Sequence, residues 1–381
     1  MREVVVAGVG MVRFGRYNGE KEWPLKEFYE LGCEAVLGAF RDACVEMKDI
    51  QAVFCGQVYQ GTSAGFKVIN EIGSTGIPIV NVENACSSSS SAFRLAYQSI
   101  AAGVYDLCLV IGLEKVPAGF VASTAWNEWE RYMGFNVQPA AYALETVRHM
   151  KEFGLTEKQI ARVTVKNRKN GALFPYGYFR QEVTLGEVLN SRIIAKPLRL
   201  LMCCPNADGA VAAVVCSRDK FKSRSKAVTV AASVLVSGMY GPLRGGGSVK
   251  VQNPNRTQMA AKQAYEVSGY GPEDLDLAEV YDAMAPIELI NLEDLGICKP
   301  GEAGHLLDEG FFDLGGKMPV NTSGGLMSRG HPLGATGLAQ IAEIAWQLRG
   351  EGGQRQVPDA RVGLCHSMGA GQTCCVTILK R

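Results

Sequence analysis

Three residues in this chain have the types and settings for covalent chemistry at a carbonyl. Cys86 stands in Asn84-Ala85-Cys86-Ser87-Ser88-Ser89-Ser90-Ser91-Ala92, His331 in Gly330-His331-Pro332-Leu333-Gly334-Ala335-Thr336-Gly337, and Cys365 in Leu364-Cys365-His366-Ser367-Met368-Gly369-Ala370-Gly371. A thiolate nucleophile, an imidazole that activates it and a second thiol that moves a proton at carbon form a coherent set for Claisen-type chemistry. Cys86 falls between an apolar strand-like run and a long helix-like run. A thiol at a helix N-terminus feels unsatisfied N–H groups, so its pKa is expected below that of an ordinary cysteine. The small residues after it let an acyl group or another backbone come close. Taken singly each signal is weak, because one cysteine among 12 is structural by default, His331 would equally cap a helix and Cys365 would equally fill a core.

The elements that must position these groups alternate short β-rich runs with longer helical runs, the pattern of an α/β protein with helix-covered sheets. In the first half, strands are expected at 4–7, 52–55, 79–82 and 107–112, with a helix over 87–102. The second half repeats the order: strand 228–236, helix 258–267, strand 277–281, helix 333–349, then strands 362–364 and 374–379. The repeat lies in element order rather than residue identity. It makes the helices after Cys86 and after His331 equivalent, with both residues at helix N-termini that can face one crevice.

The chain has 381 residues, 47% of them hydrophobic, which is more than one ordinary core accommodates. A formal net charge of +1 argues against a nucleic-acid partner. The cysteines lie in apolar runs (Cys55, Cys108, Cys216) or adjacent pairs (Cys203-Cys204, Cys374-Cys375), with no Cys-x-x-Cys spacing, so reduced thiols and no zinc site are expected. The start, Met1-Arg2-Glu3 before Val4-Val5-Val6-Ala7, reads as a buried strand rather than a signal peptide, and the end, Leu379-Lys380-Arg381, has no peroxisomal tripeptide. The expectation is a cytoplasmic protein without a membrane partner.

Between about 116 and 197 the pattern turns aromatic, polar and rich in Gly and Pro, as in an inserted lid or loop domain. Its aromatic residues (Trp126, Trp129, Tyr132, Phe135, Phe174, Tyr176, Tyr178, Phe179) either line a pocket for a bulky acyl group or form the insertion's own core. Arg162, Lys166, Arg168 and Lys169 are candidates for nucleotide phosphates, or a solvated helix face. Glycines 238, 241 and 245–247 punctuate a loop, and no Gly-x-Gly-x-x-Gly opens a helix, so no dinucleotide site is read.

With these motifs in view, the chain resembles the thiolase superfamily, in particular the sterol-carrier-protein-2-type thiolases and their bacterial relatives. The resemblance spans nearly the whole chain. It rests on the Cys86 and His331 motifs, on Cys203-Cys204-Pro205-Asn206-Ala207-Asp208-Gly209-Ala210, on Asn321-Thr322-Ser323-Gly324-Gly325, and on Trp346-Gln347-Leu348-Arg349-Gly350. It implies a thiolase fold: two similar halves with mixed five-stranded sheets layered with helices (αβαβα) plus an inserted loop domain. The implied division is 1–115, completed by about 198–220, then 116–197, then 221–381.

By the same resemblance Cys86 matches the acyl-carrying nucleophile, His331 the histidine that activates it and donates to an enolate oxygen, and Cys365 the acid/base cysteine of ordinary thiolases. Backbone N–H groups at Cys86 and near Ser367 would form an oxyanion hole. Two departures stand out. Sterol-carrier-type members have His-Asp-Cys-Phe where this chain has Tyr281-Asp282-Ala283-Met284, and Gln-His-Asn where it has Cys365-His366-Ser367. Tyr281 is thus a direct donor, an acyl-pocket wall or a packed aromatic, and His366 a second acid/base or an ordinary anchored histidine.

The resulting expectation is a thiolase cleaving a 3-oxoacyl-CoA with free CoA, with no permanently bound cofactor and no metal. Similarity to bacterial relatives implies a bulky aromatic substrate such as benzoylsuccinyl-CoA, giving benzoyl-CoA and succinyl-CoA. It also implies a homodimer core and a separate small OB-fold/zinc-ribbon subunit. A thiolase-like retro-aldolase working without a nucleophilic cysteine, and a non-catalytic acyl-CoA- or lipid-binding homologue, are the alternatives.

Overall fold

Runs of small and branched apolar residues build the central sheet. The computed structural model describes residues 2–119, 127–134, 136–221, 227–239, 254–370 and 373–381. Trp126, Phe135, Gly241, the 245–247 glycines and Gly371 lie outside them. Strands β1 (Val4–Met11), β2 (Ala52–Gly56), β3 (Ile79–Val82), β4 (Leu107–Glu114) and β5 (Gly209–Ser217) belong to the first half; β6 (Val228–Ser237), β7 (Leu277–Glu279), β8 (Val362–Met368) and β9 (Thr373–Lys380) belong to the second. Together they form one sheet in the order β3-β2-β4-β5-β1-β6-β9-β8-β7. Every residue of β1 and β5 is buried, which is why these strands read as continuous apolar runs rather than alternating ones. Within the sheet, among the described residues, the two halves join through the pairs Val5–Thr229 and Val6–Val228. The expected pair of five-stranded sheets is therefore a continuous sheet with five strands from one half and, among the described residues, four from the other.

Helices cover the sheet in layers. Helices α1 (Phe28–Ala43) and α2 (Ala64–Ile72) share one apolar cluster with an outer face of the first half. Helices α3 (Ser88–Ala101) and α8 (Thr336–Arg349) lie together between the halves, with Phe93, Ile100, Leu338 and Ile341 in one cluster. The remaining named helices are α4 (Gln138–Phe153), α5 (Glu157–Ala172), α6 (Arg256–Ser268) and α7 (Ala285–Asp294); α6 packs on β6 and β9. Contact between α3 and α8 depends on a missing side chain. A Cβ at Gly337 would come within 1.9 Å of Ser90 Oγ, so any larger residue there forces the two central helices apart.

Several strands run past their expected ends, β1 to Met11 and β4 to Glu114 among them, and the differences in β8 and β7 bear on the site. The strand expected to stop at Leu364 continues to Met368, because β9 pairs with it residue by residue, through Cys365–Thr377 and Ser367–Cys375 to Met368–Cys374. The strand expected to reach Tyr281 stops at Glu279. Tyr281 then lies in the turn into α7, and Asp282 fixes that turn by accepting from the Leu326 and Met327 N–H groups.

Candidate active site

The turn that presents Cys86 is strained and then clamped by the serines after it. Ala85 has φ +50°, a conformation unfavourable for a residue with a side chain. Its N–H donates to Glu83 Oε1 at 2.7 Å, and Ser88 Oγ accepts from Asn84 N–H and donates to the Ala85 carbonyl. Asn84 Nδ2 reaches Ser91 Oγ. Farther along, Ser89 Oγ accepts from Leu338 N–H of α8, and Ser90 Oγ bonds Ser367 Oγ of β8 at 2.7 Å. The serine run thus ties Cys86 to both halves of the chain.

His331 arrives from the other half. Its N–H donates to the Pro205 carbonyl, and its Nε2 lies 3.2 Å from Cys86 Sγ. Nδ1 lies 2.7 Å from Thr336 Oγ1, whose own hydrogen goes to the Pro332 carbonyl at 2.9 Å. Because that hydroxyl has already donated, it accepts from Nδ1–H, and the Nε2 lone pair is left facing the thiol. His331 is therefore not at a helix N-terminus as expected. It sits one turn upstream, held by the first residue of α8.

Electrostatics reverses the expectation of a ready thiolate. Burial pushes the Cys86 thiol up to about 11, against a lowering by a hydrogen bond from Tyr281. Burial, with the Arg329 cation adding to it, depresses His331 to about 3. Desolvation outweighs the helix N-terminus here, and the resting pair is neutral thiol and neutral imidazole. The Tyr281 hydroxyl, 3.4 Å from His331 Nε2, also reaches the sulfur, where its hydrogen bond favours the thiolate form. Underneath, the buried Glu114 carboxylate accepts from the N–H groups of Val58, Tyr59 and Gly334, each at 3.0 Å, joining the loop after β2 to the turn carrying His331. Burial raises Glu114 to about 7.

Cys86, His331 and Tyr281 open onto a cavity of about 730 Å³. Sequence reasoning did not single out several of its walls: Tyr59, Tyr142 and Arg256. The adjacent thiols Cys203 and Cys204 were visible as a motif, yet nothing in the sequence says that they reach the chamber. They do so because Cys204 N–H pairs with the Ala283 carbonyl beside Tyr281.

Other expected site residues lie elsewhere. Cys365 is not among the cavity residues; it packs in the apolar cluster of α3 and α8, where burial and the Glu279 carboxylate keep its thiol protonated. Strand alternation is the reason, because residues 364, 366 and 368 take one face of β8 and residues 365 and 367 the other. Ser367 accordingly bonds Ser90, and His366 Nε2 lies 3.3 Å from Thr257 Oγ1. Met368, Gly369 and Ala370 are the residues of this segment that line the chamber.

The basic stretch is largely occupied within the fold. Arg162 pairs with Asp308 at 2.9 Å, Lys166 is buried against Glu288 at 3.0 Å and Arg168 stacks on Phe179; Lys169 is exposed. The insertion's aromatics mostly pack on the body, with Phe174 buried and Tyr176 stacked on Trp346, while Trp129 and Tyr132 are exposed. No grouping of His, Cys, Asp and Glu among the described residues could hold a metal ion. No described helix is long and apolar enough to cross a membrane.

Comparison with known proteins agrees with this architecture. The family model "Thiolase, N-terminal domain" matches residues 4–219 and "Thiolase C-terminal domain-like" matches residues 250–381. Sterol carrier protein 2 of Rattus norvegicus is 36% identical over 99% of this chain and 72% of its own length. Benzoylsuccinyl-CoA thiolase subunit BbsB of Thauera aromatica is 38% identical over 97% of this chain and 95% of its own. Among solved structures, "Ltp2-ChsH2(DUF35) aldolase" superimposes with TM-score 0.86 at 26% identity, covering 99% of this chain and 97% of that one. Two family models that together take in both halves, and relatives well above 30% identity that match nearly all of this chain, show that the chain is an acyltransferase-type enzyme of the thiolase family, on its sterol-carrier-protein-2 side.

Proposed function

We propose that the protein cleaves a 3-oxoacyl-CoA with free CoA through an acyl group carried on Cys86. The observation that carries this reading is the 3.2 Å approach of Cys86 Sγ to the unprotonated nitrogen of His331. As sulfur attacks the keto carbon, Nε2 takes the thiol proton. The bond between the keto carbon and the α-carbon breaks, its electron pair becomes the enolate of a departing acyl-CoA, and the imidazolium returns the proton to it. CoA thiol then attacks the Cys86 thioester, giving its proton to His331, which hands it to the leaving Cys86 sulfur. One proton cycles through one histidine, and Cys365 is not needed for the balance. The reverse condensation uses the same groups.

The substrate we propose is a bulky aromatic one such as benzoylsuccinyl-CoA, giving benzoyl-CoA and succinyl-CoA. The Thauera aromatica relative and a cavity walled by Tyr59, Tyr142 and Tyr281 support it. A homodimer core with a separate small subunit of OB-fold and zinc-ribbon type, acting in the cytoplasm, belongs to the same proposal; the neighbouring structure's title pairs Ltp2 with ChsH2(DUF35). So does the division into two thiolase halves around an insertion at 116–197. A retro-aldolase reading is favoured by that neighbour's printed activity.

Mass spectrometry of the intact protein and its peptides separates the two. After incubation with benzoyl-CoA, whose acyl group Cys86 would carry, the thiolase reading expects a benzoyl adduct on Cys86, discharged by free CoA and missing in Cys86→Ala. Carbon–carbon cleavage that survives Cys86→Ala without any adduct would favour the aldolase.

A further inference from the structure

Three thiols line the chamber among the described residues: Cys86, Cys203 and Cys204. Cys365, first expected to move a proton at carbon, takes the opposite face of β8 and packs in the cluster of α3 and α8. Cys203 is engaged, since its Sγ donates to the Arg199 carbonyl at 3.4 Å. Cys204 is held by backbone on both sides. Its own N–H donates to the Ala283 carbonyl at 3.0 Å, and the carbonyl of the next residue, Pro205, accepts the His331 N–H at 3.1 Å. Cys204 is therefore seated between the turn that carries Tyr281 and the turn that carries His331, close enough to Cys86 for charge there to act on its sulfur. Desolvation, then negative charge on Cys203, Asp282 and Cys86, pushes the Cys204 thiol well up, so at rest it is a proton donor.

Breaking the bond between keto carbon and α-carbon leaves an electron pair at carbon, and carbon is protonated fast only by an acid positioned against it. His331 is turned toward sulfur: its Nε2 lies 3.2 Å from Cys86 Sγ and 3.4 Å from the Tyr281 hydroxyl. We propose that Cys204 is the catalytic acid/base at the α-carbon, relaying the proton between that carbon and His331. In cleavage, the bond from Cys204 sulfur to its hydrogen breaks as the bond from that hydrogen to the α-carbon forms. The imidazolium then gives the proton it took from Cys86 to the Cys204 thiolate. One proton still returns from His331 to the enolate, so the balance is unchanged and no further reactant enters. In the condensing direction the imidazole takes the Cys204 proton, and the thiolate takes one from the α-carbon. This rests on the thiolase reading and adds to it the group that meets carbon.

The test separates chemistry at sulfur from chemistry at carbon in wild type, Cys204→Ala, Cys204→Ser and Cys365→Ala. Sulfur chemistry is read by mass spectrometry as the rate at which benzoyl-CoA forms the benzoyl adduct on Cys86. Carbon chemistry is read by nuclear magnetic resonance as uptake of deuterium from deuterated water at the carbon next to the thioester of succinyl-CoA. The proposal expects both Cys204 variants to slow this exchange about 10²–10⁴-fold, the worth of a positioned acid/base, while adduct formation falls by less than about tenfold. Serine keeps the size of cysteine but is a far weaker acid, so its loss of exchange is not one of packing. Cys365→Ala should exchange near the wild-type rate. Wild type without exchange, exchange that survives both Cys204 variants, or exchange lost in Cys365→Ala instead overturns the proposal. So does an equal fall in adduct formation and exchange, which would make Cys204 a structural residue. Exchange that depends on Cys204 in a protein forming no Cys86 adduct would keep this assignment and discard the thiolase reading. A normal adduct with exchange intact in Cys204→Ser would do the reverse.

Discussion

Two polar regions, both buried, meet at the turn after β7, and they differ in charge. In one, Arg329 contacts Glu279 at 3.1 Å, Ser323 and Thr322 hydrogen-bond to Glu279, and Glu343 pairs with Arg355 at 2.9 Å, all fully or almost fully buried. In the other, Cys86, His331 and Tyr281 are just as buried but carry no opposite charges in contact. The first region keeps its ions because each has a partner, and it fixes the Asn321–Arg329 segment that leads to the histidine. The second is held neutral by desolvation. Arg329, two residues from His331, further opposes an imidazolium there. The same burial therefore gives a rigid scaffold where charges pair and, where they do not, the neutral thiol–imidazole pair to which the proposed proton transfer is assigned. Cys365, facing Glu279, belongs to the scaffold side.

This contrast is open to disruption from either side. His331→Asn should slow acylation of Cys86 about 10²–10⁴-fold while leaving the melting temperature close to wild type; a loss under tenfold would remove the histidine from the proton path. On the scaffold side, Arg329→Ala should cost about 3–5 kcal/mol of stability by stranding Glu279. Urea midpoints read this directly, and the deficit should shrink when Glu279→Gln is added. Tyr281→Phe should slow acylation about ten- to a hundredfold, the worth of a hydrogen bond to a developing charge, without a matching loss of stability.

The pH dependence gives a finer test. With the thiol at about 11 and the imidazole at about 3, the thiolate fraction of the free enzyme grows roughly tenfold per pH unit through neutrality. Iodoacetamide alkylation of Cys86 should climb steadily from pH 7 to 10, with no inflection where an ordinary histidine titrates. A plateau beginning near pH 7 would mean a preformed thiolate–imidazolium pair. The smallest effect is expected from Cys365→Ala, which should leave turnover near the wild-type rate. A large loss there, without loss of stability, would return this thiol to the chemistry.

Much of the fold was legible because its signals are local. The continuous apolar runs that became β1, β4 and β6, and the helix after Cys86, follow from composition and length alone, and strand 79–82 was read to the residue. The pairing of Cys86 with His331 was legible as a motif and as a geometric consequence of the repeat. The pairing of β8 with β9 beyond Leu364 was not, since it depends on a hairpin register set by non-local hydrogen bonds. That register alone decides which face of the strand Cys365 takes. Likewise the basic run at 162–169 shows charge in sequence, while its partners Asp308 and Glu288 come from segments more than a hundred residues away.

The sequence by itself determined the family's chemistry set, a cysteine before a serine-rich helix and a histidine before a second one, and the α/β alternation that carries them. Tertiary structure decided the protonation state of that pair, the choice of Tyr281 over Cys365 as its neighbour, and the presence of Arg256 in the same chamber. The physical reason is that residue types and periodicity are local properties. Desolvation, strand register and the convergence of a cavity's walls arise only when distant segments are packed together.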